Sequence, residues 1–172
     1  FYGTANSNQM LMEFMGLQLP GSSFVNPNTL FRDELTKFGT AQLLRIAARN
    51  ENHLPIYKIL DERAFINGIV GLMATGGSTN LILHLTAMAK SAGIILKLED
   101  FEEVSTITPL MAKIYPNGLA DVNHFHAAGG LSYIIGQLID NGLLNEDVKT
   151  IMGSTLNHYR KEPKLSNNKI EF

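Results

Sequence analysis

Hydrophobic residues recur along most of the chain with the three- and four-residue spacing of α-helices, and glycine-rich segments interrupt them. Leu81, Leu85 and Met88 show this spacing on one face of a predicted helix. The pattern predicts helices over residues 6–15, 29–50, 61–74, 79–92, 99–104 and 121–141, the last divided near the glycine pair at 129–130. Residues 19–28 and 115–118 are rich in turn-forming residues and are predicted to be loops.

Only one segment has the character of a strand, the short β-branched run IILKL at 94–98. Its order of helix, glycine, strand and helix is typical of α/β units. The sequence therefore predicts a helix-rich piece of a larger α/β domain, with few strands of its own. A self-contained helical domain is the alternative. Residues 1–158 are assigned to the α/β domain and residues 159–172 to a polar tail or linker.

The composition supports a packed core and narrows the function. Of the 172 residues, 45% are hydrophobic and 17% are charged, which argues against disorder. A net charge of −2 gives no basic field for nucleic acid, and no apolar run is long enough for a membrane span. The chain starts without a signal-peptide pattern, so we expect a cytoplasmic protein. It has no cysteine and hence no thiolate ligand for a metal.

Two segments place small polar residues directly before an apolar helix. In ATGGSTNLILHL, residues 74–85, Ser78 or Thr79 could cap the helix, while the preceding glycines allow a close backbone approach. The same helix start could bind an anion, so capping and ligand contact both stay open. No lysine follows the glycines, which excludes the GxxxxGK[ST] phosphate loop. In GTANSN, Asn6 or Ser7 is predicted to cap the first helix, which Gly16 ends.

Several histidines and one arginine are further candidates. His124 and His126 could share a metal on a strand, but they would lie about 200° apart on the predicted helix. Either could instead bind a substrate or transfer a proton. His84 lies on the same predicted helix face as Leu81 and Met88 and is interpreted as a core residue. Arg32, beside an Asn-Pro-Asn loop, could meet an anionic substrate.

Four blocks together resemble one known family. They are FYGTANSNQMLMEFMGLQLPGSSFVNP, NGIVGLMATGGSTNLILHL, YPNGLADVNHFHAAGG and LLNEDVKTIMG, which extend in this order from residue 1 to about residue 160. They resemble the dihydroxy-acid and 6-phosphogluconate dehydratase family. The blocks FYGTANSN, FVNPN and YPNG…NHFHAAGG are closer to the 6-phosphogluconate branch.

The resemblance implies a hydro-lyase. The expected reaction converts 6-phospho-D-gluconate to 2-dehydro-3-deoxy-6-phospho-D-gluconate in the Entner–Doudoroff pathway. A [4Fe–4S] cluster would be the Lewis acid, with Mg²⁺ in some members, and the intact protein would be a homodimer. In the family a cluster cysteine precedes FYGTANSN, whereas this chain begins after that position and lacks cysteine. We therefore expect a fragment of the N-terminal domain that is inactive alone and has no metal ligands.

The resemblance also selects pocket residues. It places the first helix beside the cluster, and the residues it implies near cluster or substrate are Asn6, Ser7, Ser78, Thr79, Asn80, His124 and His126. For the phosphate we hypothesise Arg32 with Asn26 and Asn28. One alternative is a dihydroxy-acid or sugar-acid dehydratase of the same family. An alternative from another class is a non-catalytic helical interaction module.

Overall fold

A computed structural model describes residues 2–47 and 51–172. The helices in these ranges are α1 Thr4–Phe14, α2 Leu30–Ala47, α3 Glu62–Thr75, α4 Asn80–Ser91, α5 Leu98–Ile107, α6 Val122–Ala127 and α7 Gly130–Asp140. Two 3-10 turns, Ile56–Lys58 and Leu156–Arg160, and the antiparallel strands β1 Lys164–Ser166 and β2 Lys169–Glu171 complete the described elements. None of the helices described is long and apolar enough to cross a membrane.

The centre of the core is α3, which packs against α1, α4 and α5. Its sequence is apolar on several faces, as a buried helix requires, and Phe65 and Ile69 are fully buried. Gly71 brings α1 close, because a Cβ there would lie 2.5 Å from ring atoms of Phe14. This close approach places the start of α1 beside the start of α4.

Local signals set most helix ends as predicted. Asp61 caps α3 by accepting a hydrogen bond from Ala64 N at 3.0 Å, and Gly76 ends it with a left-handed φ of 58°. Gly16 follows α1 with a φ of 73°. Positive φ at residues 129 and 130 makes the predicted break between α6 and α7. The predicted end of α2 at residues 48–50 lies outside the described residues.

The strand predicted at 94–98 and the core position predicted for His84 are wrong. Residues 94–97 form no strand, and α5 starts at Leu98, because no described strand lies alongside to pair with their backbone. His84 is exposed rather than in the core, since Leu81, Leu85 and Ala89 define the buried face of α4. The described chain is nevertheless helix-rich with a single two-stranded sheet, which confirms the predicted fold class.

The polar segment at 159–172 is folded against the rest of the chain. Tyr159 is fully buried, and its hydroxyl donates to the carbonyl of Gln18 at 2.8 Å. Strands β1 and β2 form a hairpin whose turn consists of residues 167–168. Both have positive φ, as this type of two-residue hairpin turn requires. The hairpin packs on α2, where the rings of Phe38 and Phe172 lie 5.2 Å apart. Its role as a linker to another domain stays a prediction.

Candidate functional site

The two small polar segments meet where α1 and α4 begin. Ser78 N donates to Ser7 Oγ at 3.1 Å, and the hydroxyls of Thr4 and Ser78 lie 3.0 Å apart. Asn80 Nδ2 donates to Thr4 Oγ1 at 2.8 Å. We call these four residues the α1–α4 junction. The structure thus brings together Ser7, Ser78 and Asn80, three of the residues predicted for the pocket.

The junction corrects the capping predictions. α1 begins at Thr4 with Gly3 as its cap residue, so Asn6 and Ser7 lie inside the first turns, and neither occupies the predicted cap position. Ser7 is fully buried, and its Oγ instead accepts a hydrogen bond from the backbone N–H of Ser78. Thr79 is exposed and makes no capping bond, whereas Ser78 Oγ accepts from Asn80 N at 3.4 Å. The side chains of this segment thus link two helix starts, and the exposed Asn80 and Thr79 border solvent.

A buried carboxylate on α1 holds the loop over residues 19–28. Glu13 is fully buried, and its oxygens accept hydrogen bonds from Gly21 N at 2.7 Å, Ser23 N at 2.8 Å and Ser23 Oγ at 2.5 Å. Burial raises the pKa of Glu13 to about 7, although the bonds from Ser23 and Gly21 oppose this shift. The sequence analysis missed Glu13. Its position three residues after Met10, on the buried face of a helix, was the available signal.

Next to this loop lies a cleft of about 330 Å³ that contains three predicted residues. It is lined by Asn6, Asn26 and Arg32, together with residues 23–25 of the loop. Arg32 Nη2 donates to the carbonyls of Ser22 at 2.9 Å and Val25 at 2.5 Å. We call this space the loop cleft. A guanidinium that is held by backbone carbonyls at a cleft lined by four amide side chains could receive an anionic group.

Asn28, the third residue predicted for the phosphate, is not among those that line the loop cleft. It is exposed and takes a left-handed φ of 58° in the turn that leads into α2. Asparagine is one of the few residues that tolerate this conformation, so its place in the motif has a structural reason. The loop cleft thus brings together Arg32, Asn26 and Asn6, whereas the phosphate role of Arg32, Asn26 and Asn28 stays a prediction.

The two histidines of α6 lie on a helix, as predicted, and have different acidic neighbours. His124 is exposed, and its Nδ1 lies 2.9 Å from Asp121 Oδ1. The backbone N–H of His124 is the main reason why the pKa of Asp121 is lowered. His126 Nδ1 lies 3.8 Å from Glu162 Oε1, and burial raises the pKa of Glu162. Within the described ranges, no three His, Cys, Asp or Glu residues group as a metal site.

Comparison with known proteins places this geometry in a family. The model of the dihydroxy-acid/6-phosphogluconate dehydratase N-terminal region matches residues 1–159. The chain belongs to this family. It is 55% identical to the phosphogluconate dehydratase of Pseudomonas aeruginosa over 170 residues, which are 99% of the chain and 28% of that relative. It is 51% identical over 172 residues to that of Escherichia coli K12, again covering 28% of the relative.

A relative from the dihydroxy-acid dehydratase branch of the family has a lower sequence identity to the chain. The dihydroxy-acid dehydratase of Caldanaerobacter subterraneus subsp. tengcongensis is 35% identical over 167 residues, which cover 97% of the chain and 30% of that relative. The resemblance inferred from the four sequence blocks is thereby confirmed. The chain spans less than a third of the length of these three relatives.

Proposed function

We propose that the chain forms part of a hydro-lyase that dehydrates 6-phospho-D-gluconate to 2-dehydro-3-deoxy-6-phospho-D-gluconate, a step of the Entner–Doudoroff pathway. The observation that carries this proposal is the loop cleft, which Arg32 lines together with Asn6 and Asn26. Relatives that are 51–55% identical over this region are phosphogluconate dehydratases. The chain would supply part of the substrate pocket.

In this proposal Arg32 binds the phosphate of the substrate. A guanidinium has five N–H donors, and the two described bonds to carbonyls use only Nη2. Nε and Nη1 thus retain donors for phosphate oxygens, which guanidinium groups bind in a bidentate manner. The amides of Asn6 and Asn26 would donate to the same group or to the sugar-acid hydroxyls. The α1–α4 junction would fix α1 and with it Asn6.

The residues of this chain do not fit the [4Fe–4S] cluster that the resemblance implies. A [4Fe–4S] cluster is held by cysteine thiolates, and the chain has none. Mg²⁺ is often held by only one or two carboxylates together with water and substrate phosphate, and the described residues contain no group of three acidic or histidine side chains that would mark a complete protein site for it. We propose that any cluster ligands are supplied by residues outside these 172.

The phosphate site is testable in a protein that carries these residues together with the cluster ligands. Arg32→Ala should raise KM for 6-phosphogluconate about tenfold or more, because a charge-assisted contact is lost, and should change KM for gluconate much less. Arg63→Ala is the control, since Arg63 is exposed on α3 and pairs with Asp61 and Asp147. Equal effects of Arg32→Ala on both substrates would refute the phosphate site.

A second candidate is a dihydroxy-acid or unphosphorylated sugar-acid dehydratase, which the 35% identical dihydroxy-acid dehydratase supports. Turnover of a panel of phosphorylated and unphosphorylated acids distinguishes the two. We further propose that the intact protein is a cytoplasmic homodimer. Cell fractionation and light scattering of the intact protein test these two points, and a monomer at micromolar concentration would contradict the second.

A further inference from the structure

The carboxylate of Glu13 and the guanidinium of Arg32 lie on opposite sides of one peptide group. Glu13 accepts from Ser23 N at 2.8 Å, and Arg32 donates to the carbonyl of Ser22 at 2.9 Å. The Ser22 carbonyl and the Ser23 N–H belong to the same peptide plane. The Ser22–Ser23 peptide bond is trans, so its carbonyl and its N–H point in opposite directions. A rotation of the plane that breaks one bond must therefore disturb the other.

Glu13 also makes two further hydrogen bonds to the same loop, on either side of residue 22. Its second oxygen accepts from Gly21 N at 2.7 Å, and the hydroxyl of Ser23 donates to the first at 2.5 Å. A carboxylate, a peptide group and a guanidinium in sequence form a chain of hydrogen bonds in which each polarises the next. The loop that Glu13 holds lines the cleft where Arg32 lies.

We infer that Glu13 is a positioning residue for the phosphate site, which it serves by fixing the Ser22–Ser23 peptide plane that orients the guanidinium of Arg32. This inference rests on the proposed function. Glu13 is not among the residues that line the loop cleft, and it acts through the loop that its hydrogen bonds hold. Its effect should therefore appear in the binding of phosphorylated substrates and require Arg32.

The test uses steady-state kinetics of the intact protein with 6-phosphogluconate and gluconate. Glu13→Gln places an amide where donors converge, so at least one loop bond is lost. KM for 6-phosphogluconate should rise about tenfold, with kcat and KM for gluconate within about twofold of wild type. Ser23→Ala removes only the hydroxyl contact and should give a smaller rise of about threefold. In an Arg32→Ala background, Glu13→Gln should raise KM no further.

Asn67→Ala is the matched control for loss of a buried polar anchor. Asn67 is fully buried and accepts from Asn145 N at 2.8 Å, away from the loop cleft. Its loss should lower stability without changing the ratio of the two KM values. If the ratio responds to Asn67→Ala as it does to Glu13→Gln, the inference is overturned, because general destabilisation then explains both.

The failures of the two proposals are distinguishable. Absence of 6-phosphogluconate turnover in the wild type refutes the proposed function itself. Turnover with no selective effect of Arg32→Ala refutes the phosphate site, and the role of Glu13 with it. A selective effect of Arg32→Ala without one of Glu13→Gln and Ser23→Ala overturns only the present inference. If Glu13→Gln does not fold, Ser23→Ala alone decides in the same way.

Discussion

Glu13 should make the free energy of unfolding depend on pH, and the substitution Glu13→Gln should remove this dependence. The group is fully buried, and burial raises its pKa from 4.5 to about 7, with a smaller contribution from the nearby Glu162. Between these two pH values the folded chain holds a proton that the unfolded chain releases. The free energy of unfolding therefore falls as pH rises through this window, and the contribution is lost above about pH 7.

The size of the effect follows from the two pKa values. The interval between 4.5 and about 7 corresponds to about 3 kcal/mol, since one pH unit is equivalent to about 1.4 kcal/mol. Glu13→Gln is neutral at every pH and lacks this term. It also loses a loop hydrogen bond, but that cost is the same at each pH. The stability of the wild type relative to the variant should thus fall by about 3 kcal/mol from pH 4.5 to 7.5.

Urea denaturation followed by circular dichroism at several pH values and constant ionic strength measures this difference. Glu103→Gln is the control, because Glu103 is exposed on α5, and its stability curve should stay within about 0.5 kcal/mol of the wild type. Parallel curves for the wild type and Glu13→Gln would refute the reasoning. So would a wild type that gains stability relative to the variant as pH rises.

Three further substitutions test the packing. Gly71→Ala should destabilise the fold by about 2 kcal/mol, because the new Cβ would lie 2.5 Å from the ring of Phe14. Gly136→Ala on α7 should instead stabilise it by up to about 1 kcal/mol, since its Cβ would come no nearer than 3.8 Å to atoms outside its own helix; thermal melts of both variants that shift in the same direction would contradict this pair. Tyr159→Phe should cost about 1 kcal/mol in urea denaturation, because the carbonyl of Gln18 loses its 2.8 Å donor, and an unchanged midpoint would show that this bond adds nothing.

The sequence predicts those parts of the fold that local physics determines. α3 was predicted over 61–74 and observed at Glu62–Thr75, because a capping aspartate and a left-handed glycine define its ends within the sequence itself. The strand predicted at 94–98 was wrong, because a strand depends on a neighbour that sequence periodicity cannot supply. The hairpin near the C-terminus was missed for a related reason, since its residues are mostly polar and pack only through their partners on α2.

The same distinction holds for the candidate site. Asn26 and Arg32 are close in sequence and both line the loop cleft, whereas Asn28 takes a left-handed φ and does not line it. Their phosphate role stays a prediction. The bond between Ser7 and Ser78 joins residues 71 positions apart and requires the close approach of α1 to α3. Glu13 was missed because its partners lie in an irregular loop, which has no periodicity to reveal them.

The buried tyrosine at position 159 has a practical consequence for anyone who wishes to shorten this protein. The composition changes to polar residues there, and a truncation after residue 158 would seem harmless. It would instead remove a large side chain from the hydrophobic interior together with the strand pair that covers α2. Shortened versions should therefore keep residues 159–172, and versions cut before this segment should be expected to aggregate.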